Sequence, residues 1–187
     1  MRKFTPADYR VMPWKNGGGS TTELYVESAT DGAFLWRVSI ADIAADGPFS
    51  IFAGYDRHIM AIKGSGMVLE GGLHGPINVY PRFVPRRFSG DWTISSRLIS
   101  GPVRDFNLIA RRENTESGLA CIEVTSGLLL GGTDATTFAY LLEGELAASG
   151  DRLVADESLL LMPGETVQGS SSGARLAVAR ITGSARA

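Results

Sequence analysis

The sequence predicts an all-β fold, and three observations carry that prediction. Glycine makes up 23 of 187 residues, about 12% against a usual ~7%, and frequent glycine means frequent tight turns. Several stretches alternate with period two, the spacing that sends successive side chains to opposite faces of a strand. No stretch longer than about two turns carries the apolar stripe of an amphipathic helix. The composition, 44% hydrophobic and 20% charged, is that of a globular domain and excludes a disordered chain. With 18 basic and 20 acidic residues the net charge is -2, so neither nucleic acid nor a membrane surface is an expected partner. No apolar run approaches the ~20 residues that cross a bilayer. Met1 to Trp14 lacks the apolar core of a secretory signal, and Cys121 alone cannot form an internal disulfide. A cytoplasmic protein is expected.

In chain order, Pro6 to Tyr9 reads as a short helix. Asn16-Gly17 is a hairpin-turn signal. In the strand after it, Glu23 and Tyr25 share a face opposite Leu24 and Val26. Phe34, Trp36, Val38 and Ile40 then alternate with Leu35, Arg37, Ser39 and Ala41, and Val103, Asp105, Asn107 and Ile109 alternate with Arg104, Phe106, Leu108 and Ala110. Leu176 and Val178 alternate with Ala177 and Ala179 near the end. Between these runs stand the turn signals Asp31-Gly32, Asp46-Gly47-Pro48, Gly71-Gly72, Ser89-Gly90-Asp91, Gly131-Gly132, Ser149-Gly150-Asp151 and Pro163-Gly164.

The chain also repeats itself. His58 to Gly64 resembles Phe138 to Gly144, 80 residues later: an apolar strand, a charged residue, a turn glycine. Pro85 and Pro163 stand at comparable places, and each half closes on a further strand. Strand, Gly turn, strand, Pro turn, strand is the pattern of a small antiparallel jelly roll. Two tandem barrels are predicted, 1–112 and 119–187, divided by the polar stretch Glu113 to Gly118.

Three catalytic signatures are weak. His58 and His74 are the only histidines, at no metal-ligand spacing, so no metal and no other cofactor is expected. Gly169 to Gly173 matches G-x-S-x-G only formally, because a strand and not a helix comes after it. The run Asn16-Gly17-Gly18-Gly19-Ser20 lacks the lysine of a phosphate loop. It reads either as a plain flexible turn or as backbone that something approaches closely. More informative are polar residues at strand positions: Arg37 with Ser39, Asp105 with Asn107, and Glu23 with Tyr25. Each pair faces either solvent or a cavity wall. Lining a cavity, with Lys15 and Arg57, they suit a small anion, because guanidinium forks pair with carboxylates.

Four ordered blocks carry a family resemblance. Met12-Pro13-Trp14-Lys15-Asn16-Gly17-Gly18-Gly19 with Thr22-Glu23-Leu24 is the first, and Phe34 to Ala41 the second. Asp46 to Arg57 and Gly101 to Leu108 complete the set. Together they resemble the HutD/Ves family, the second half fitting more loosely. The resemblance implies an RmlC-like, metal-poor bicupin, a protein of two tandem cupin barrels, with Gln168 standing where a metal cupin would place a histidine. It implies an association with histidine utilisation, as a regulator binding a small pathway molecule. It carries over Trp14, Lys15, Asn16, Glu23, Arg37, Phe49, Arg57, Asp105 and Asn107 as matching positions, all but Trp14 as ligand-binding candidates. The expected ligand is an anionic intermediate such as urocanate, formiminoglutamate or formylglutamate. The competing reading is a metal-independent isomerase, epimerase or hydrolase. There Asp105, Glu23 or His58 is the acid or base, and Lys15 or Arg37 stabilises negative charge. A third is an interaction module with no ligand. Exposed strand edges would allow a homodimer.

Overall fold

The structure, a computed structural model, describes residues 1–71, 74–113 and 115–183. Gly72 of the predicted turn, Asn114 of the predicted boundary stretch and the last four residues lie outside it. The strands are β1 (Arg2–Phe4), β2 (Arg10–Pro13), β3 (Gly19–Ser28), β4 (Phe34–Ile43), β5 (Gly47–Pro48), β6 (Tyr55–Lys63), β7 (Met67–Glu70), β8 (Ile77–Val79), β9 (Arg86–Ser89) and β10 (Ser95–Leu98). They continue with β11 (Val103–Arg111), β12 (Glu116–Val124), β13 (Gly127–Gly131), β14 (Thr136–Glu143), β15 (Glu145–Ala148), β16 (Asp151–Val154), β17 (Ser158–Leu161), β18 (Thr166–Ser170) and β19 (Ala174–Thr182). The predicted short helix is a single 3-10 turn at Pro6–Asp8.

The chain forms two compact units. The first, Arg10–Asn114, pairs a six-stranded sheet, β2-β3-β4-β11-β6-β9, with a four-stranded one, β5-β10-β7-β8. Between them pack Ala41, Ile43, Ile59, Ala61, Met67, Leu69, Val79, Phe88, Ile94 and Val103. The opposite face of the six-stranded sheet is also dry: Val38, Ile40, Met60, Phe106 and Leu108 are fully buried. A sheet buried on both faces needs apolar residues on both, and the runs Ile59–Ile62 of β6 and Leu108–Ala110 of β11 supply them between the polar positions.

The second unit joins Met1–Tyr9 to Thr115–Ala187. Its sheets are β1-β17-β14-β19-β12 and β13-β18-β15-β16. The boundary expected from sequence put residues 1–112 in the first barrel; instead β1 pairs with β17, Arg2 opposite Leu160 and Phe4 opposite Ser158. The Phe4 ring lies 6.2 Å from that of Phe138, and the Tyr9 and Ser158 hydroxyls share a 2.8 Å hydrogen bond. Burying Phe4 and satisfying both hydroxyls holds the first nine residues there.

Strand registers align the two units. β11 sets Ile109 against both Arg37 and Arg57, and β19 sets Arg180 against both Gly118 and Thr137. Arg57 therefore corresponds to Thr137, the 80-residue offset of the sequence repeat. The turn glycines agree: Gly64 and Gly144 have φ of 88° and 81°. A Cβ on either would stand 2.4 Å from the Pro102 carbonyl oxygen or 2.3 Å from that of Gly173.

Candidate functional site

The six-stranded sheet presents three cross-strand rows to the interior of the first unit. Across β4, β11 and β6 they read Arg37, Ile109, Arg57; then Ser39, Asn107, Ile59; then Ala41, Asp105, Ala61. The period of two puts Arg37, Ser39 and Ala41 on one face, as it does Asp105, Asn107 and Ile109. Above these rows lies a cavity of about 440 Å³, closed by Trp14, Lys15, Asn16 and Thr21 on one side and by Pro48, Phe49, Ser50 and Phe52 on another. That volume suits a small metabolite.

Seven of the eight predicted binding residues line it: Lys15, Asn16, Arg37, Phe49, Arg57, Asp105 and Asn107. Glu23 does not. It stands opposite Ser39 on the same sheet face, and its charge opposes the lowering of the Arg37 pKa by burial, so it acts on the site through that arginine. A bulge between Glu23 and Tyr25 then shifts the register, and Tyr25 pairs with Val38, its ring tilted against that of Trp36 with centroids 4.8 Å apart. The predicted shared face of Glu23 and Tyr25 is thus corrected: an extra residue in one strand sends the residues beyond it to the other face. Thr21, Ser50 and Phe52 were not among the predicted site residues, and Ser39 was named only as the strand partner of Arg37. For Ser39 the signal was present, two residues from Arg37 in an alternating strand. His58 is buried, but it is not among the cavity residues, since its odd-numbered neighbours Arg57 and Ile59 hold the inward face.

Arg57 is held tightly. It is 6% exposed and donates to the Ser50 carbonyl at 3.1 Å and to Asn107 Oδ1 at 3.4 Å. Its guanidinium carbon lies 5.0–5.4 Å from the ring centres of Phe49, Phe52 and Phe88. Such contacts hold a cation by the ring quadrupole. Burial first, and the Arg37 charge as well, pull its pKa down to about 10 against the support of Asp105. Arg37 is half-buried, its pKa lowered by burial, and its Nε is buried without a partner. Its guanidinium carbon is 5.3 Å from the same Phe52 ring. Two guanidinium groups thus share one aromatic ring and repel each other across it.

Asp105 is fully buried between Ala41 and Ala61. Its Oδ1 accepts from the Asn107 amide, while Oδ2 has no partner. Burial pushes its pKa up to about 7, against the opposing pull of Arg57 and of the Asn107 hydrogen bond. An acid protonated more readily when folded than unfolded stabilises the fold below its unfolded pKa and loses that contribution as pH rises through its folded pKa. Between about pH 4 and 7 this one group therefore makes stability fall as pH rises. Asp105→Asn should abolish that slope, so its melting temperature gains on the parent's from pH 4.5 to pH 8. Parallel melting curves across that range would show Asp105 to be ionised throughout.

The three glycines resolve into different causes. Gly17 has φ of 72°, and Gly18 donates to Asn16 Oδ1. Gly19 lies against the Trp14 ring and the Asp42 carbonyl.

Among the described residues the second unit has no equivalent site. Positions matching Arg37, Ser39, Arg57, Asn107 and Asp105 are Gly118, Ala120, Thr137, Val178 and Leu176. Leu130, Leu141, Leu146, Leu161, Leu176 and Val178 pack there instead. Gln168 is exposed on β18. Among the described residues no three of His, Cys, Asp or Glu converge as metal ligands. The first cavity offers one carboxyl beside two guanidinium groups, a donor set that suits an anion and not a cation.

A model of the HutD family matches residues 6–180. The chain belongs to the HutD family. A HutD-family relative, an uncharacterized 21.2 kDa protein of the hutC 3' region of Pseudomonas putida, is 40% identical over 147 residues, 76% of this chain and 75% of its own. Protein Ves of Citrobacter koseri is 35% identical over 114 residues, 59% of each chain. Among solved structures, HutD from Pseudomonas fluorescens SBW25 superposes with a TM-score of 0.85 at 34% identity, over 98% of this chain and 99% of that one. This chain is accordingly a bicupin, all-β throughout its described residues apart from one 3-10 turn. No helix among those residues is long and apolar enough to cross a membrane.

Proposed function

We propose that this HutD-family bicupin binds a small carboxylate metabolite in its first barrel and acts as a ligand-responsive regulator in histidine utilisation, without turning the ligand over. The observation that carries the reading is the pair of arginines in one cross-strand row, partly desolvated and mutually repulsive, facing a cavity whose lining holds one carboxyl. Charge of one sign confined in a dry space favours a ligand of the other sign. The Pseudomonas relatives' names, HutD and the hutC 3' region, support the pathway assignment. Urocanate, formiminoglutamate and formylglutamate are the candidates it gives.

A second reading has one observation in its favour. Asp105, near pH 7 at its midpoint, has the poise of a general acid or base. No histidine or cysteine lines the cavity to form a nucleophile–base pair with it.

A thermal-shift panel of histidine, glutamate, the three intermediates and divalent metals tests both. A ligand at about 100 times its dissociation constant adds roughly 2.7 kcal/mol, a rise of about 5–10 °C at this chain length. One intermediate should give such a rise and remain chemically unchanged by NMR after prolonged incubation. A product signal would favour the enzyme. No shift with any intermediate, or a shift with metal alone, would overturn the binding reading.

A further inference from the structure

A buried polar atom without a partner is costly, and the cavity holds one that an arriving ligand can satisfy. Asp105 Oδ2 is inaccessible to solvent and unpartnered, on a residue that lines the cavity. Its other oxygen is taken by the Asn107 amide. Arg57 gives its Nη1 and Nη2 hydrogen bonds to Ser50 and Asn107, and its Nε, like that of Arg37, is buried without a partner. The carboxyl therefore shares the cavity lining with the arginines and has one oxygen unpartnered.

Two pairings would satisfy that oxygen. As a carboxylate it could accept from a donor on the ligand. As a neutral acid it could donate to an acceptor. An anion's carboxylate oxygens only accept, and a second carboxylate beside them would repel them. We propose that Asp105 is the specificity-determining residue of this cavity: in its protonated form it donates from Oδ2 to an acceptor oxygen of the anion that Arg37 and Arg57 hold, and complex formation takes up one proton from solvent. The inference rests on the reading that the cavity takes an anion. It goes further by naming the ligand class, an anion that presents an acceptor and not an N–H group to β11.

The charged groups around Asp105 are few. From β6 comes Arg57, and from β4 Arg37 with Asp42. Glu23 on β3 acts on Arg37, and Lys15 stands at the mouth. Burial outweighs the two influences that favour the ionised form, the Arg57 charge and the Asn107 hydrogen bond. An anion beside the two arginines cancels part of the positive field, so it shifts Asp105 further toward its neutral form.

The test is calorimetric titration with formylglutamate, whose carboxylates stay ionised from pH 6 to 9. Affinity should be flat below about pH 6, then fall toward about tenfold per pH unit above about pH 7. At pH 8 the heat should differ between phosphate and Tris buffers by an amount approaching one proton taken up per site. Asp105→Asn, which keeps an acceptor for Asn107 and a donor for the ligand, should bind at pH 6 within about threefold of the parent. It should show no buffer dependence, and at pH 8.5 it should bind more tightly than the parent. The parent's buffer-dependent heat tests the inference even if the variant folds poorly. Binding without proton uptake in the parent overturns the role of Asp105 and leaves the cavity reading standing. No binding at any pH overturns both.

Discussion

Replacing Arg37 by alanine is expected to weaken binding of the carboxylate ligand by about 10- to 150-fold, the 1.5–3 kcal/mol of a charge-assisted hydrogen bond. Stability should stay within about 1 kcal/mol of the parent. The two effects separate because Arg37 contributes little to the fold. Its Nε is buried without a partner, a cost that the substitution removes. The fold loses the contact of its guanidinium with the Phe34 and Phe52 rings, at 5.6 and 5.3 Å, and such contacts are modest where a group is half-exposed. A variant that binds as the parent does would show that the ligand lies elsewhere. A variant that loses stability and affinity together would make Arg37 a structural residue.

Gly19→Ala is expected to cost about 3 kcal/mol or more of stability, a fall in melting temperature of about 6 °C or more. A Cβ there would stand 2.2 Å from the Asp42 carbonyl oxygen and 3.0 Å from the Trp14 ring. Neither neighbour can withdraw freely. The Asp42 carbonyl belongs to β4, and Trp14 is fixed by its backbone bond to Gly19 and by the 2.9 Å bond from its indole nitrogen to Thr21. Displacing Trp14 also moves the wall that carries Lys15 and Asn16, so affinity should fall too. Gly17→Asn, two residues away, is the control. Its φ is 72°, nothing lies within 4 Å of its Cβ position, and asparagine tolerates that conformation at little cost. Equal melting curves for both variants would remove the steric argument.

Much of the site was legible in the sequence because strand alternation is local. Knowing that β4 and β11 alternate is enough to put Arg37 with Ser39 and Asp105 with Asn107. The features that escaped depend on information no single strand carries. The bulge after Glu23 is a pairing property of two strands, and it sends Tyr25 to the face opposite that of Glu23. Phe52 sits in a loop with no period to reveal that both guanidinium groups rest on it. The filling of the second barrel became readable only after the registers matched Asp105 to Leu176 and Asn107 to Val178. The repeat at 80 residues was local and visible; the pairing of β1 with β17 joins residues 158 apart and was not.

That last pairing bears on the order in which the chain can be built. During synthesis Arg2–Phe4 is made before residues 10–114, yet its partner strand is made after them. Residues 10–114 contain every strand of their own unit, so they can close while β1 still hangs free. The waiting segment is short, and Pro6 opens the 3-10 turn just behind it. The second barrel can finish only by recapturing Arg2–Phe4, so it closes after every strand of the first unit has been made.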